Sequence, residues 1–409
     1  MLLGIQEKNA WAINAELEPK LSWQLYYEDN LTGVSENDTS GEISAFSNRY
    51  EPDLKFHIES SRVAINGRMH WRVYRYFSEK DYDSTDRFYN IESVFKINPR
   101  TDLTLSASYN LNTNPERYFT QEEGVASGIL VRKSQNITKS YDANYIYRLS
   151  PRSNLTLLFN YLTFFTRASS GSPVYSYGIG YDYMLSNKNT INLSLGYSNL
   201  KFNYTLAEQL FNYTLDTYSI NTGLIHQFSE TLKLDFYVGW YFTDAQYQRA
   251  IFKEDPATGE QVLAGTESVS NSTTGSSFNL RLEKKYYHAT FTFTGSQSLY
   301  TDPETGQTYP TRNFGFTTSY DFSSKLRGTA TWAFYNNKAT AGDYNNRINY
   351  DQESNYSILQ LDYRYKPNID IVLGYSRAES KDQLINTKTI RNNVWLQCIL
   401  SLPRPFVVR

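Results

Sequence analysis

The sequence predicts an all-β chain forming a single transmembrane antiparallel up-and-down β-barrel of about 18 strands, with short periplasmic turns and long extracellular loops. Three observations carry that prediction. Apolar and polar residues alternate with a period of two along most of the chain, which is the pattern of a strand with one apolar and one polar face. Short turns alternate with longer polar loops, the asymmetry of outer-membrane barrels. Finally, aromatics make up 16% of the 409 residues, with 36 Tyr against 23 Phe and 6 Trp. The excess therefore lies in the ring with a polar tip, which suits a surface that is apolar along its length and wet at its ends.

The stretch Tyr141 to Phe165 shows the repeating unit. Tyr141, Ala143, Tyr145, Tyr147 and Leu149 share one face, and Asp142, Asn144 and Arg148 the other. Ser150-Pro151-Arg152-Ser153 turns the chain, since proline suits a tight turn and has no N–H for a ladder. Leu155, Leu157, Phe159, Tyr161 and Phe165 then oppose Thr156, Leu158, Asn160 and Thr166. One such hairpin fits a sheet on a soluble core or a barrel wall between lipid and water.

In chain order, the first strand runs from Ala15 to Glu28, with Leu17, Pro19, Leu21, Trp23, Leu25 and Tyr27 on its apolar face. Tyr50, Pro52, Leu54, Phe56 and Ile58 form the next, after a polar loop that reaches Asn48. Val63, Ile65, Met69, Trp71, Val73 and Phe77 follow, opposite Asn66, Arg68, His70, Arg72 and Tyr74. Two arginines and a histidine on one strand face are hard to bury in a dry core. Short turns are expected near Ser60, Pro99, Pro151, Asn187, Ser229, Lys285, Ser323 and Pro367. Those eight turns join sixteen strands, and one strand at each end brings the total to 18. Long loops are expected at Asn112–Asn136, Thr205–Thr214, Thr243–Ser276, Tyr300–Arg312 and Asn336–Asn355. The final strand is Ile390 to Leu402, and the barrel is expected over 15–406 after an N-terminal periplasmic extension at 1–14.

Composition excludes several classes. A formal charge of −2 and a pI near 6.2 give no basic stripe for nucleic acid. A mean hydropathy of −0.56 with no long charge-free apolar run excludes helical membrane spans but not a barrel, whose strands average out to polar. One cysteine, Cys398, rules out an internal disulfide. Glu7 and Lys8 interrupt the apolar core that a signal peptide over Met1 to Ala12 would need. His57, His70, His226 and His288 are scattered over separate strands without a serine and acid in array, so no catalytic group and no enzyme is expected. Asp29, Glu36 and Asp38 have the residue types for calcium, but Asp and Asn in a loop ordinarily only turn the chain. No cofactor and no metal is expected.

The polar faces are expected to line the lumen through Arg68, Arg72, Glu92, Lys96, Asp142, Arg148, Asp182, Asp235, Arg281, Glu283, Arg327, Asp362 and Arg364. Both signs are present, which argues against a strongly selective ion filter, and pairing across neighbouring strands is the simplest role for each. Tyr74, Tyr76, Tyr237, Tyr241 and Trp395 fall on the same face, where rings can stack on sugars or merely fill space. Gly178, Gly180, Ser194, Gly196, Gly223, Gly239 and Gly374 are expected to leave width, and Thr243–Ser276 is the expected constriction loop.

Leu17-Glu18-Pro19-Lys20-Leu21, Tyr27-Glu28-Asp29-Asn30 and Tyr50-Glu51-Pro52-Asp53-Leu54 resemble the opening of outer-membrane barrels associated with exopolysaccharide loci. Those families include barrels linked to PEP-CTERM sorting systems and myxobacterial polysaccharide-export barrels. The resemblance implies a wide outer-membrane channel for polysaccharide or other polar solutes, with outer-membrane lipid and periplasmic export components as partners. A barrel sheath around a partner such as a multihaem cytochrome is the alternative, and an outer-membrane enzyme on the loop side ranks third.

Overall fold

The computed structural model describes residues 14–33, 35, 42–113, 135–166, 169–206, 209–254, 261–301, 308–338, 351–383, 386–402 and 406–408. Its strands are β1 (Asn14–Glu28), β2 (Ala45–Glu59), β3 (Val63–Tyr76), β4 (Ser84–Asn98), β5 (Thr101–Asn112) and β6 (Asn136–Ser150). Then come β7 (Ser153–Thr166), β8 (Ser169–Ser186), β9 (Asn189–Leu206), β10 (Gln209–Ser229), β11 (Leu232–Glu254) and β12 (Gln261–Lys285). The last are β13 (Ala289–Thr301), β14 (Thr308–Asp321), β15 (Leu326–Lys338), β16 (Asp351–Lys366), β17 (Ile369–Asp382) and β18 (Thr387–Ser401), with a short β19 (Phe406–Val408).

From β1 to β18 each strand pairs antiparallel with its sequence neighbours, and β1 also pairs with β18, so the sheet closes. β19 continues the β18 edge against Ala15–Leu17 of β1, which makes this an 18-stranded barrel with a last strand in two pieces. Pro403 and Pro405 stand in the intervening sequence and have no N–H to give a ladder. All eight expected short turns connect strands at one end of the barrel.

Register sorts the side chains onto two faces. One carries the exposed apolar groups: Leu21 and Trp23 on β1, Leu157 on β7, Leu195 on β9, Trp240 on β11 and Leu373 on β17. Aromatic neighbours on that face are in contact, as with Phe159, Tyr177, Tyr197 and Tyr218 across β7 to β10. A closed sheet with such an outer surface is a transmembrane barrel of the outer-membrane type, its backbone polar groups satisfied within the ladder and its apolar face left to lipid.

The loop end differs from expectation. β9 and β10 run on to Leu206 and from Gln209, so the described residues of Thr205–Thr214 are strand rather than loop. The same holds for most of Thr243–Ser276, where Asp244 pairs with Ser272 and the ladder continues to Glu254 and Gln261. Eleven rungs lie beyond Thr243–Thr273, several of them of Ser, Thr, Asn and Gln that need no apolar face once the hairpin has left the bilayer, and β-compatible residues such as Ile251 and Val269 keep it extended. The segment named as the constriction is thus a continuation of the wall. Tyr300–Arg312 and Asn336–Asn355 are shortened likewise, and residues 1–13, 114–134, 302–307 and 339–350 lie outside the described residues.

At the loop end of the seam the first and last strands are clipped by side chains. Asn30 Nδ2 donates to the Ile390 carbonyl at 2.8 Å, and the Asp29 carboxylate accepts from the backbone and from the side-chain amide of Asn392. Asn30 holds φ at 46°, a left-handed conformation that asparagine tolerates.

Candidate functional site: the barrel interior

The thirteen charged residues read from the sequence all fall on the face opposite the apolar belt, by strand register. Towards the turn end they are partly exposed and mostly paired. Arg68 makes a two-pronged contact with Asp53, its Nε and Nη2 donating at 2.9 and 3.0 Å. Arg72 donates to Glu51 at 3.1 Å with its guanidinium 5.2 Å from the Phe88 ring centre. Arg148 pairs with Asp102, and Asp235 with Lys233. Glu283 bridges Arg281 at 2.9 Å and Lys285 at 2.8 Å. Arg327 binds Asp321 at 2.6 Å and Arg364 lies 3.5 Å from Asp370. Asp142 accepts from Ser106, Ser140 and Asn160; Asp182 accepts from Asn192; Asp362 accepts from Gln360 and stands opposite Arg327. Glu92 faces Asn66 and Ser106, and Lys96 faces Asp102. The partners Glu51, Asp53, Asp102, Asp321 and Asp370 are absent from the sequence-derived set, although their strand parity already put them on this face.

Between β7 and β15 the middle of the wall has no fixed charge and carries many small polar groups, Ser194, Ser219, Asn221, Ser277, Thr292 and Thr317 among them, beside Leu158 and Tyr237. The lumen is open at this level, since Leu158 on the inner face is 48% exposed. The glycines do not all leave width. A Cβ at Gly374 would collide with the Trp395 ring and one at Gly223 with the Tyr237 ring, so these cross-strand aromatics lie flat over the glycines.

In the loop half the interior is closed. Inward side chains there are buried nearly all round the circumference: Tyr76, Asn337, Ser172 and Arg391 at 0%, Ala245 at 2% and Tyr335 at 3%. Tyr74 and Tyr76, expected on the lumen face, are buried at this level and cannot meet a solute in this conformation. Part of the filling comes from the connection between β1 and β2. Its Leu31 is fully buried against Ala45, Tyr74 and Tyr76, with Ile43 packed alongside and accepting from the Leu31 N–H at 2.7 Å. Leu31, Val34 and Ile43 in a mainly polar connection were the available signal.

This half also holds a buried charge cluster that sequence reading missed. Glu28 accepts from the Tyr76 hydroxyl at 3.1 Å and lies 3.7 Å from Arg391 Nε, while the Arg49 guanidinium sits 3.1 Å from the Tyr26 ring centre and 4.6 Å from that of Tyr74. Such rings supply a cation with a negative face where water is excluded.

The histidines are dispersed. His57 and His70 lie on the inner face of β2 and β3, His226 sits on the outer face beside Phe228, and His288 occupies the turn before β13. Asp29 is engaged by Asn392, and Glu36 and Asp38 fall outside the described residues. Among the described residues no group of three or more His, Cys, Asp or Glu is placed to hold a metal ion.

No protein-family model matches the chain, and no curated protein is similar to it in sequence. Among solved structures the chain is similar to the outer membrane protein opdK from Pseudomonas aeruginosa, at 9% identity and a TM-score of 0.47 over 94% of this chain and 99% of that one. It is similar to OccAB4 from Acinetobacter baumannii, at 12% identity and a TM-score of 0.46 over 97% and 100%. It is also similar to the copper transporter OprC, at 11% identity and a TM-score of 0.49 over 91% of this chain and 64% of that one.

Proposed function

We propose that this barrel is an outer-membrane channel for polar solutes, saccharides included, and that it rests with its loop-side mouth closed. The observation that carries this reading is the interior itself. A charged, water-accessible vestibule at the turn end leads to a wall of uncharged hydroxyl and amide groups, which match a neutral polyhydroxylated solute. The closed layer beyond it includes Leu31 and Ile43 of the β1–β2 connection, whose displacement would uncover Tyr74 and Tyr76. Paired charges of both signs favour passage by size and hydrogen bonding over selection by net charge. Polysaccharide is the finer form of the reading, supported by the motif resemblance at β1 and β2 and by that uncharged wall. A sheath around a folded partner finds less support, because the loop half is already filled by this chain.

Planar-bilayer recording tests the proposal. The wild type should show small or infrequent conductance, and Leu31→Asp, which places a charge among Tyr74 and Tyr76, should expel the β1–β2 connection and raise conductance severalfold. Swelling of sugar-loaded vesicles should rise in parallel. If both forms fold, judged by resistance to SDS before heating, and neither conducts, passage through the lumen is refuted.

A further inference from the structure

The short turns repeat one device. At the equivalent place in each, a residue's carbonyl accepts a backbone N–H from the next strand along the wall, as Arg100 does from Arg148 and Lys325 from Arg364. That place is held by Arg62, Arg100, Arg152, Lys188 and Lys325 in five turns, and by Thr231, His288 and Asn368 in the others. In four of the five a side chain fixes the backbone. The N–H groups of Arg100, Arg152, Lys188 and Lys325 donate to Asn98 Oδ1, Ser150 Oγ, Ser186 Oγ and Ser323 Oγ at 2.9 to 3.2 Å, the hydrogen bond of Asx and Ser/Thr turns. The five cations are exposed, and among the described residues their side chains have no hydrogen-bond or ion-pair partner. Inside the barrel, by contrast, Arg68, Arg148 and Arg327 are each answered by an aspartate. The eight connections between the turn-side strand ends contain one acid, Glu230, so this end of the barrel carries a rim of unanswered positive charge.

Immediately before the turns stand exposed apolar residues, Ile97, Leu149, Leu185, Phe228, Phe322 and Tyr365, each continuing the lipid-facing series of its strand. The cations therefore lie where the apolar belt ends, at headgroup depth. Beside the Lys325 turn the outer face is also grooved, over about 550 Å³. Gly328 and Ala330 form its floor on β15, Tyr320 and Phe322 one side and Leu359 and Leu361 the other, a recess of the form an acyl chain fills.

We propose that the turn rim binds anionic phospholipid of the periplasmic leaflet, with the headgroup phosphates on Arg62, Arg100, Arg152, Lys188 and Lys325 and the acyl chains against the apolar residues beside them. A basic side chain near an anionic membrane surface gains attraction that falls off within a Debye length, and five on one rim act together. The apolar girdle favours lipid over a soluble acidic protein, which would meet the cations but leave that girdle without a role. The rim fixes the depth at which the barrel sits and is independent of whether the lumen conducts.

Electron spin resonance tests this on the full chain folded into phosphatidylcholine vesicles, with spin-labelled phosphatidylglycerol or phosphatidylcholine as the probe. The motionally restricted fraction reports lipid held at the barrel surface. The wild type should select phosphatidylglycerol severalfold over phosphatidylcholine at low salt, and the selection should shrink as salt is added. Replacing the five together, Arg62→Gln, Arg100→Gln, Arg152→Gln, Lys188→Gln and Lys325→Gln, should abolish it in a barrel that still resists SDS before heating. The three arginines changed instead to lysine should keep it. Arg100→Gln with Arg152→Gln should lower it by a measurable part, which keeps the test decisive if the fivefold variant folds poorly. Equal association of the two lipids with the wild type overturns the inference, as does an undiminished preference in either folded glutamine variant.

Discussion

Leu157 and Leu158 on β7 offer one substitution in two solvents. They are adjacent, chemically identical and comparably uncovered by protein, at 42% and 48% exposure. Leu157 lies on the outer face between Tyr145 and Ile179, and Leu158 on the inner face between Asn144 and Gly178. An arginine at a lipid-facing site costs about 2 to 4 kcal/mol at the bilayer midplane and about 0 to 1 near an interface. Leu157 is the second lipid-facing position from the turn, so Leu157→Arg should cost roughly 2 to 3 kcal/mol, or about 30- to 150-fold in the folding equilibrium. Leu158→Arg puts the same group into water beside an amide and a glycine, and should cost less than about 1 kcal/mol. Urea-dependent folding into phosphatidylcholine vesicles, followed by tryptophan fluorescence, reads both. Equal costs, or a larger one at Leu158, would refute the assignment of faces and with it the lumen.

Gly374→Val should drive the Trp395 ring from its seat and lower stability by about 1 to 3 kcal/mol, most of which Trp395→Ala in the same chain should restore; no recovery in the double variant would count against the stacking argument. Asp29→Ala leaves the Asn392 backbone N–H and amide without their acceptor, so the seam should weaken by about 1 to 3 kcal/mol and the SDS-resistant band should be lost at lower temperature. A double-mutant cycle on Arg72 and Glu51 should give a coupling of about 1 kcal/mol that shrinks with added salt, and a salt-independent coupling would place the pair away from water.

The period-two alternation on β1, β3 and β7 fixed the faces, because a strand between lipid and water has no other way to satisfy both. The turns were equally legible from Pro99, Pro151 and Pro367, where the backbone must leave the ladder. Strand ends beyond the bilayer were not. Between Asp244 and Ser272 both faces of the hairpin meet water, so its Ser, Thr and Asn content reads as loop although backbone pairing continues. The charged set was found by parity, but its partners depended on register between strands that a single strand does not reveal. The Arg49, Arg391 and Glu28 cluster escaped for another reason: its parts lie on the first two strands and the last, and nothing local to any of them announces the other two.

That distance has a kinetic side. Asp29 and Asn392 are 363 residues apart, whereas the backbone bond across the first short turn joins Ser60 to Val63. Closing the longer loop costs about 4 kcal/mol more in chain entropy than closing the shorter one. Hairpins should therefore zip first and the seam last, so a nearly complete sheet exists for a time with β1 and β18 as open edges. Each is a template for pairing with another molecule. The side-chain clips at Asp29 and Asn30 recognise only this chain's own last strand, and in this way they bias an open sheet towards closing on itself before it meets a second copy.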